Sequence, residues 1–164
     1  MDVDIVIHWE GQWLIGDYFS LPDDPRLQAT MGIYSIHTGE SDGELVYIGQ
    51  AYDQSFARRV PQHQNDGLAD WIEEEYAEIQ LYLSTGHLGL KTYDRVTPQL
   101  VDDIESLLIG ACRPPGNLSK TKTFSGRELL IRNKGSRGSV PRYCWAIIED
   151  SECVLYADED PPEV

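Results

Sequence analysis

The sequence predicts an α/β (α+β) fold: a small antiparallel central sheet flanked by helices, with extra β-hairpins at the N- and C-terminal ends. Three observations lead there. Ile33-Tyr34-Ser35-Ile36 and Leu45-Val46-Tyr47-Ile48 are β-favouring runs separated by a polar loop containing Gly39 and Gly43, which is the pattern of a hairpin. Thr97-Pro98 opens a segment whose apolar residues recur at helical spacing. Short β-favouring runs also lie near both ends of the chain. With 164 residues, 18.6 kDa and 41% apolar residues, the chain suits one domain with its own core.

Taken in order, residues 3–7 and 12–15 flank Glu10-Gly11 and predict an N-terminal hairpin within residues 1–30. Pro22, Asp23, Asp24 and Pro25 break the chain before the central hairpin. Asp53 is the expected N-cap of a helix through Phe56, Arg59 and His63, which Pro61 shortens or kinks. Residues 68–75 predict a further helical turn, and residues 79–83 alternate as a strand does. In the long helix, Leu100, Ile104, Leu107, Leu108 and Ala111 form one apolar face, and Arg113-Pro114-Pro115-Gly116 ends it. Residues 143–148 and 153–156 predict a C-terminal hairpin followed by an acidic tail.

Cys112, Cys144 and Cys153 are odd in number and match no thiolate metal pattern, so neither a disulfide framework nor a structural zinc is expected. Asp2 and Asp4 stand where a targeting peptide would be basic, and no apolar stretch is long enough to cross a membrane. A reducing cytoplasmic setting is expected. The net charge of −15 opposes binding to nucleic acid when averaged over the chain. Its distribution does not. Residues 113–142 hold eight cations against Glu128 alone, a local charge of +7, which leaves −22 for the remainder. That window is expected to face an anion, while the acidic remainder suits either a protein partner or a salt-adapted surface. Nothing in the sequence fixes an oligomeric state.

Gly32-Ile33-Tyr34 on one strand of the central hairpin and Tyr47-Ile48-Gly49 on the other resemble the signature of the GIY-YIG endonuclease superfamily. Three further features fall in that family's order. Arg59 lies in the helix after the second strand with His63 at i+4, Glu105 lies on the later helix, and Asn117 follows it. The resemblance covers about residues 31–118 and leaves residues 119–164 as a basic and β-rich extension. Pro61 and the length of the Gly49–Arg59 segment leave Arg58 and Arg59 as alternatives for the arginine. Helical spacing puts both Glu105 and Asp103 at borders of the apolar face, and the resemblance chooses Glu105.

The resemblance implies hydrolysis of DNA phosphodiester bonds with one magnesium or manganese ion. Tyr34 would be the general base, His63 its assistant, and Tyr47 the residue orienting water or phosphate. Arg59 would stabilise the phosphate, Glu105 would hold the metal, and Asn117 would support the hydrogen-bond network. Such chemistry needs a base, cations on the phosphoryl oxygens and stabilisation of the departing oxygen. Arg58, Lys120, Lys122, Arg127 and Arg132 are the expected DNA contacts. The alternative is a non-catalytic module of the same fold that binds nucleic acid or protein. The family's members serve in restriction, homing, repair and recombination, and the sequence does not choose among these.

Overall fold

The computed structural model describes residues 3–39, 43–90, 95–120, 124 and 127–161, with the side chains of residues 90 and 118–120 excepted. Its strands are β1 (Val3–Ile15), β2 (Thr30–Thr38), β3 (Leu45–Ser55), β4 (Leu81–Leu90), β5 (Leu129–Gly135), β6 (Tyr143–Glu149) and β7 (Glu152–Ala157). They form one mixed sheet in the order β3-β2-β4-β1-β5-β6-β7. Among the described residues the α-helices are α1 (Phe56–Arg59), α2 (Leu68–Tyr76) and α3 (Pro98–Cys112); a 3₁₀ segment (Val60–Asn65) joins α1 to α2, and others lie at Asp17–Phe19, Pro25–Gln28 and Pro115–Lys120.

This architecture corrects the expected small antiparallel central sheet flanked by helices, with separate terminal hairpins: the sheet is mixed and seven-stranded, and among the described residues it carries only three short α-helices. The N-terminal hairpin does not form. Residues 3–15 are a single strand that pairs antiparallel with β4 from Ile5–Leu90 to Ile15–Leu81. Gly11, at φ +133°, takes up a register shift between Gly11 and Trp13 and lets the strand continue instead of turning back. The other edge of β1 is paired in parallel with β5, from Val3–Leu129 to Trp9–Gly135. The C-terminal hairpin forms as expected, from Cys144–Ala157 to Glu149–Glu152, but it extends the same sheet through β5. Pairing of these edges removes exposed backbone donors and acceptors, which a separate hairpin would leave open.

The two faces are covered differently. Val3, Ile5, Ile7, Trp9, Ile33, Ile48, Leu129, Ile131 and Cys144 pack with the apolar side of α3. At one end of the opposite face, Trp13, Tyr34, Ile36 and Tyr47 pack with Phe19, Leu27, Phe56, Val60 and Leu68 from the 3₁₀ segments, α1 and α2. Strand alternation produces this division, because Ile33 and Tyr34 must point to opposite sides. Thr97 caps α3 by accepting from the Leu100 N–H at 3.1 Å, and Pro98 starts it. Asp53 does not cap α1: β3 runs on to Ser55, whose hydroxyl accepts from the Arg58 N–H at 3.2 Å. As Pro61 implies, the α-helix is short, and a 3₁₀ segment continues through Val60–Asn65.

Candidate active site

Pairing of β2 with β3 sets Tyr34 opposite Gly49 and Ile36 opposite Tyr47, so both tyrosines lie on the face away from α3. Their rings are 6.2 Å apart between centroids. Gly49 has a steric reason: a Cβ there would overlap Cζ and the hydroxyl of Tyr34. The 3₁₀ segment after α1 then brings His63 over both rings, at 5.9 Å from Tyr34 and 4.9 Å from Tyr47.

The Tyr34 hydroxyl is 2.6 Å from His63 Nε2, and His63 Nδ1 is 2.7 Å from Asp66 Oδ2. The carboxylate accepts from Nδ1–H, which leaves Nε2 to accept from the phenol. Asp66 also receives the Leu68 N–H at 3.1 Å on its other oxygen. Tyr34, His63 and Asp66 therefore form a directional chain, with Tyr34 and His63 wholly buried and Asp66 part-exposed. Sequence reasoning missed Asp66, because the 3₁₀ geometry that turns it onto His63 has no periodic signature over so few residues.

Burial pushes the Tyr34 phenol well above its ordinary value of 10, and Tyr47 acts in the same direction. Arg59 opposes this shift, whereas Glu105 and Asp66 add to it. Arg59 is thus an electrostatic neighbour of the phenol and is partly buried, while Arg58 is exposed. Of the two alternatives, Arg59 is the one held beside Tyr34. It does not share one α-helical face with His63, because α1 ends at Arg59 itself.

Glu105 and Asp103, the two carboxylates that helical spacing left open, have different surroundings. Asp103 is ion-paired with Arg127 and accepts from Gln99 at 2.8 Å. Glu105 accepts at 3.0 Å from Gln50 on β3, and the same amide group lies 3.3 Å from Asp102. Glu105 and Asp102 thus bracket Gln50, which is level with Ile33 and lies on the α3 face, so the two carboxylates sit across edge strand β3 from Tyr34 and Tyr47. Among the described residues no group of three or more His, Cys, Asp or Glu is placed to hold a metal ion. The oxygen-only pair still fits a hard divalent cation, which takes one or two carboxylates and completes its shell with water and phosphate.

Asn117 is buried against the outer edge of β3. Its amide oxygen accepts from Ile48 N–H at 2.8 Å and its amide nitrogen donates to Ile48 C=O at 2.9 Å. It therefore takes the place of a neighbouring strand for that residue and holds the edge of the site.

The expected DNA contacts are dispersed. Arg127 pairs with Asp103, and Arg132 donates to Asp4 at 3.1 Å. Lys122 and the side chain of Lys120 lie outside the described residues. No family model, curated protein or solved structure matches this chain.

Proposed function

We propose that the protein is a divalent-metal-dependent DNA endonuclease with a GIY-YIG-like site. The observation that supports this most is the chain from Tyr34 through His63 to Asp66, set beside Tyr47 and Arg59. A buried phenol is a poor base by itself, since its anion is disfavoured. The chain avoids a free phenolate. As the attacking water gives its proton to the Tyr34 oxygen, Tyr34 passes its own to His63 Nε2, and Asp66 balances the resulting imidazolium. Tyr47 lines the same face and orients the water or phosphate. Arg59 places positive charge on the phosphoryl oxygens.

Glu105, with Asp102 alongside, would hold a magnesium or manganese ion. That ion, when bound, supplies positive charge near the departing 3′ oxygen. Asn117 keeps β3 in register for Tyr47, and Gln50 orients the Glu105 carboxylate.

A non-catalytic nucleic-acid or protein-binding module is the second reading, favoured by the complete burial of Tyr34. Supercoiled plasmid and branched DNA, incubated with magnesium or with a chelator, separate the two. The nuclease reading expects nicked or linear product that requires the metal. Intact DNA under every condition, with DNA or protein binding retained, would favour the second.

A further inference from the structure

The basic window does not lie loosely on the surface. Residues 129–135 form β5, in which Leu129, Leu130 and Ile131 are buried, while Arg132 and Lys134 alternate onto the face away from α3. Arg132 pairs across to Tyr143 on β6. The guanidinium carbons of Arg132 and Arg142 lie 5.9 and 5.1 Å from the Tyr143 ring centroid. With Arg137 from the connecting loop, these side chains line an open groove of about 540 Å³. Asp4 neutralises Arg132, and Asp158 accepts the Arg142 backbone N–H at 3.0 Å, so Lys134 and the side chains of Arg137 and Arg142 leave the groove cationic.

Strand register links this groove to the tyrosines. Lys134 is level with His8, His8 with His87, and His87 with Gly32. On the adjoining row, Glu10 is level with Thr85 and Thr85 with Tyr34. All these residues share the face away from α3. His8 is exposed, His87 is half-buried and lies 3.6 Å from Glu10, and Phe56 packs edge-on against His87. Three interstrand steps separate Lys134 from Gly32, about 14 Å at the usual strand spacing. One DNA strand carries roughly four phosphates over that distance.

We propose that the groove of Lys134, Arg137, Arg142 and Tyr143 is a phosphate-binding exosite for DNA, which guides the strand across His8 and His87 towards Tyr34. This extends the nuclease reading by naming where its substrate is held, and it moves the DNA path away from Arg127. Cationic side chains take the phosphates, and the Tyr143 ring offers a surface to a sugar or base.

The test measures binding of a fluorescent DNA duplex across a salt series in chelator, where no cleavage occurs. Lys134 and Arg142 are exposed, so the Lys134→Gln/Arg142→Gln variant keeps the core. It should bind at least about tenfold more weakly near physiological salt, with the log–log salt slope shallower by about two. Arg95→Gln, another exposed cation outside the groove, should bind as the wild type does. Equal slopes for the wild type and the double variant, no DNA binding by the wild type, or equal competition by polyglutamate would each overturn the exosite. Cleavage with magnesium is scored separately: groove-dependent binding without cleavage removes the nuclease reading and leaves the exosite standing.

Discussion

The Tyr34 site and the β5–β6 groove lie on the same face of one sheet but are built by opposite means. Around Tyr34 the buried polar groups form short hydrogen-bonded chains, from the phenol through His63 to the part-exposed Asp66 and from Asn117 to Ile48. In the groove, Lys134 and Arg142 are exposed, so water and salt screen their charges. On the nuclease reading, the difference separates two tasks. Buried, oriented groups can favour a transition state, whereas exposed cations act on affinity and encounter. The local positive charge can also act apart from the acidic remainder, because charges beyond about 8 Å are largely screened in physiological salt.

Substitutions can break this division of labour. The largest effect belongs to the buried side. Glu105→Ala should reduce metal-dependent single-turnover cleavage about a thousandfold with DNA affinity in chelator unchanged. Circular dichroism should report the same fold, since Glu105 borders the core and Gln50 keeps Asp102 as a partner. Loss of affinity with an unchanged rate would assign Glu105 to binding instead.

A smaller effect sharpens the boundary between the two kinds of charge. Arg59→Ala should slow cleavage roughly a hundredfold at saturating DNA, as removal of a preorganised positive charge does. Arg58→Ala, which removes an exposed cation, should alter affinity and its salt dependence and leave that rate within a few-fold. Equal rate losses in the two variants would remove the distinction.

The smallest effect lies outside both regions, on the other face of the sheet. His37 on β2 donates from Nδ1 to Gly39 C=O at 2.8 Å and takes the Ser84 hydroxyl at Nε2, 3.1 Å away. It faces the 136–140 loop, where a Cβ on Gly138 would be 3.0 Å from His37 Nε2. Burial lowers its pKa from 6.5, outweighing the Gly39 hydrogen bond. The unfolded chain then binds a proton that the folded one resists. The stabilising effect of neutral His37 is complete above about pH 6.5 and is lost as pH falls towards the lowered folded value. Thermal unfolding between pH 8 and 5 should show a shallower acid-side decline in His37→Gln than in the wild type. Parallel curves would show that His37 contributes nothing to it.

Local chemistry made some elements legible in the sequence. The central hairpin, the Thr97-Pro98 start of α3 and the C-terminal hairpin depend on neighbouring residues, and each appears where expected. The union of the sheet was not legible, because it rests on pairing between distant segments. Glu10-Gly11 has the composition of a turn, yet β4 and β5 hold both edges of β1 and keep it extended. Similarly, Leu129-Leu130-Ile131 is a short apolar run inside a basic window, and its partner β1 lies more than a hundred residues earlier. At the site, the motif residues Tyr34, Tyr47, His63 and Arg59 could be named in advance, and they do converge. Asp66, Gln50 and the pairing of Asp103 with Arg127 could not, since each depends on tertiary contact.

The central claim is that the Tyr34 hydroxyl moves a proton during DNA cleavage. Tyr34→Phe keeps the ring over Gly49 and removes only that hydroxyl, so its single-turnover rate at saturating DNA and magnesium is the most direct measurement. The expected result is a loss of about a thousandfold, within the usual range for general-base catalysis, with DNA affinity and the melting transition close to those of the wild type. A Tyr34→Phe protein that cuts DNA at the wild-type rate would contradict the claim and leave the Tyr34–His63–Asp66 chain a structural feature of the core.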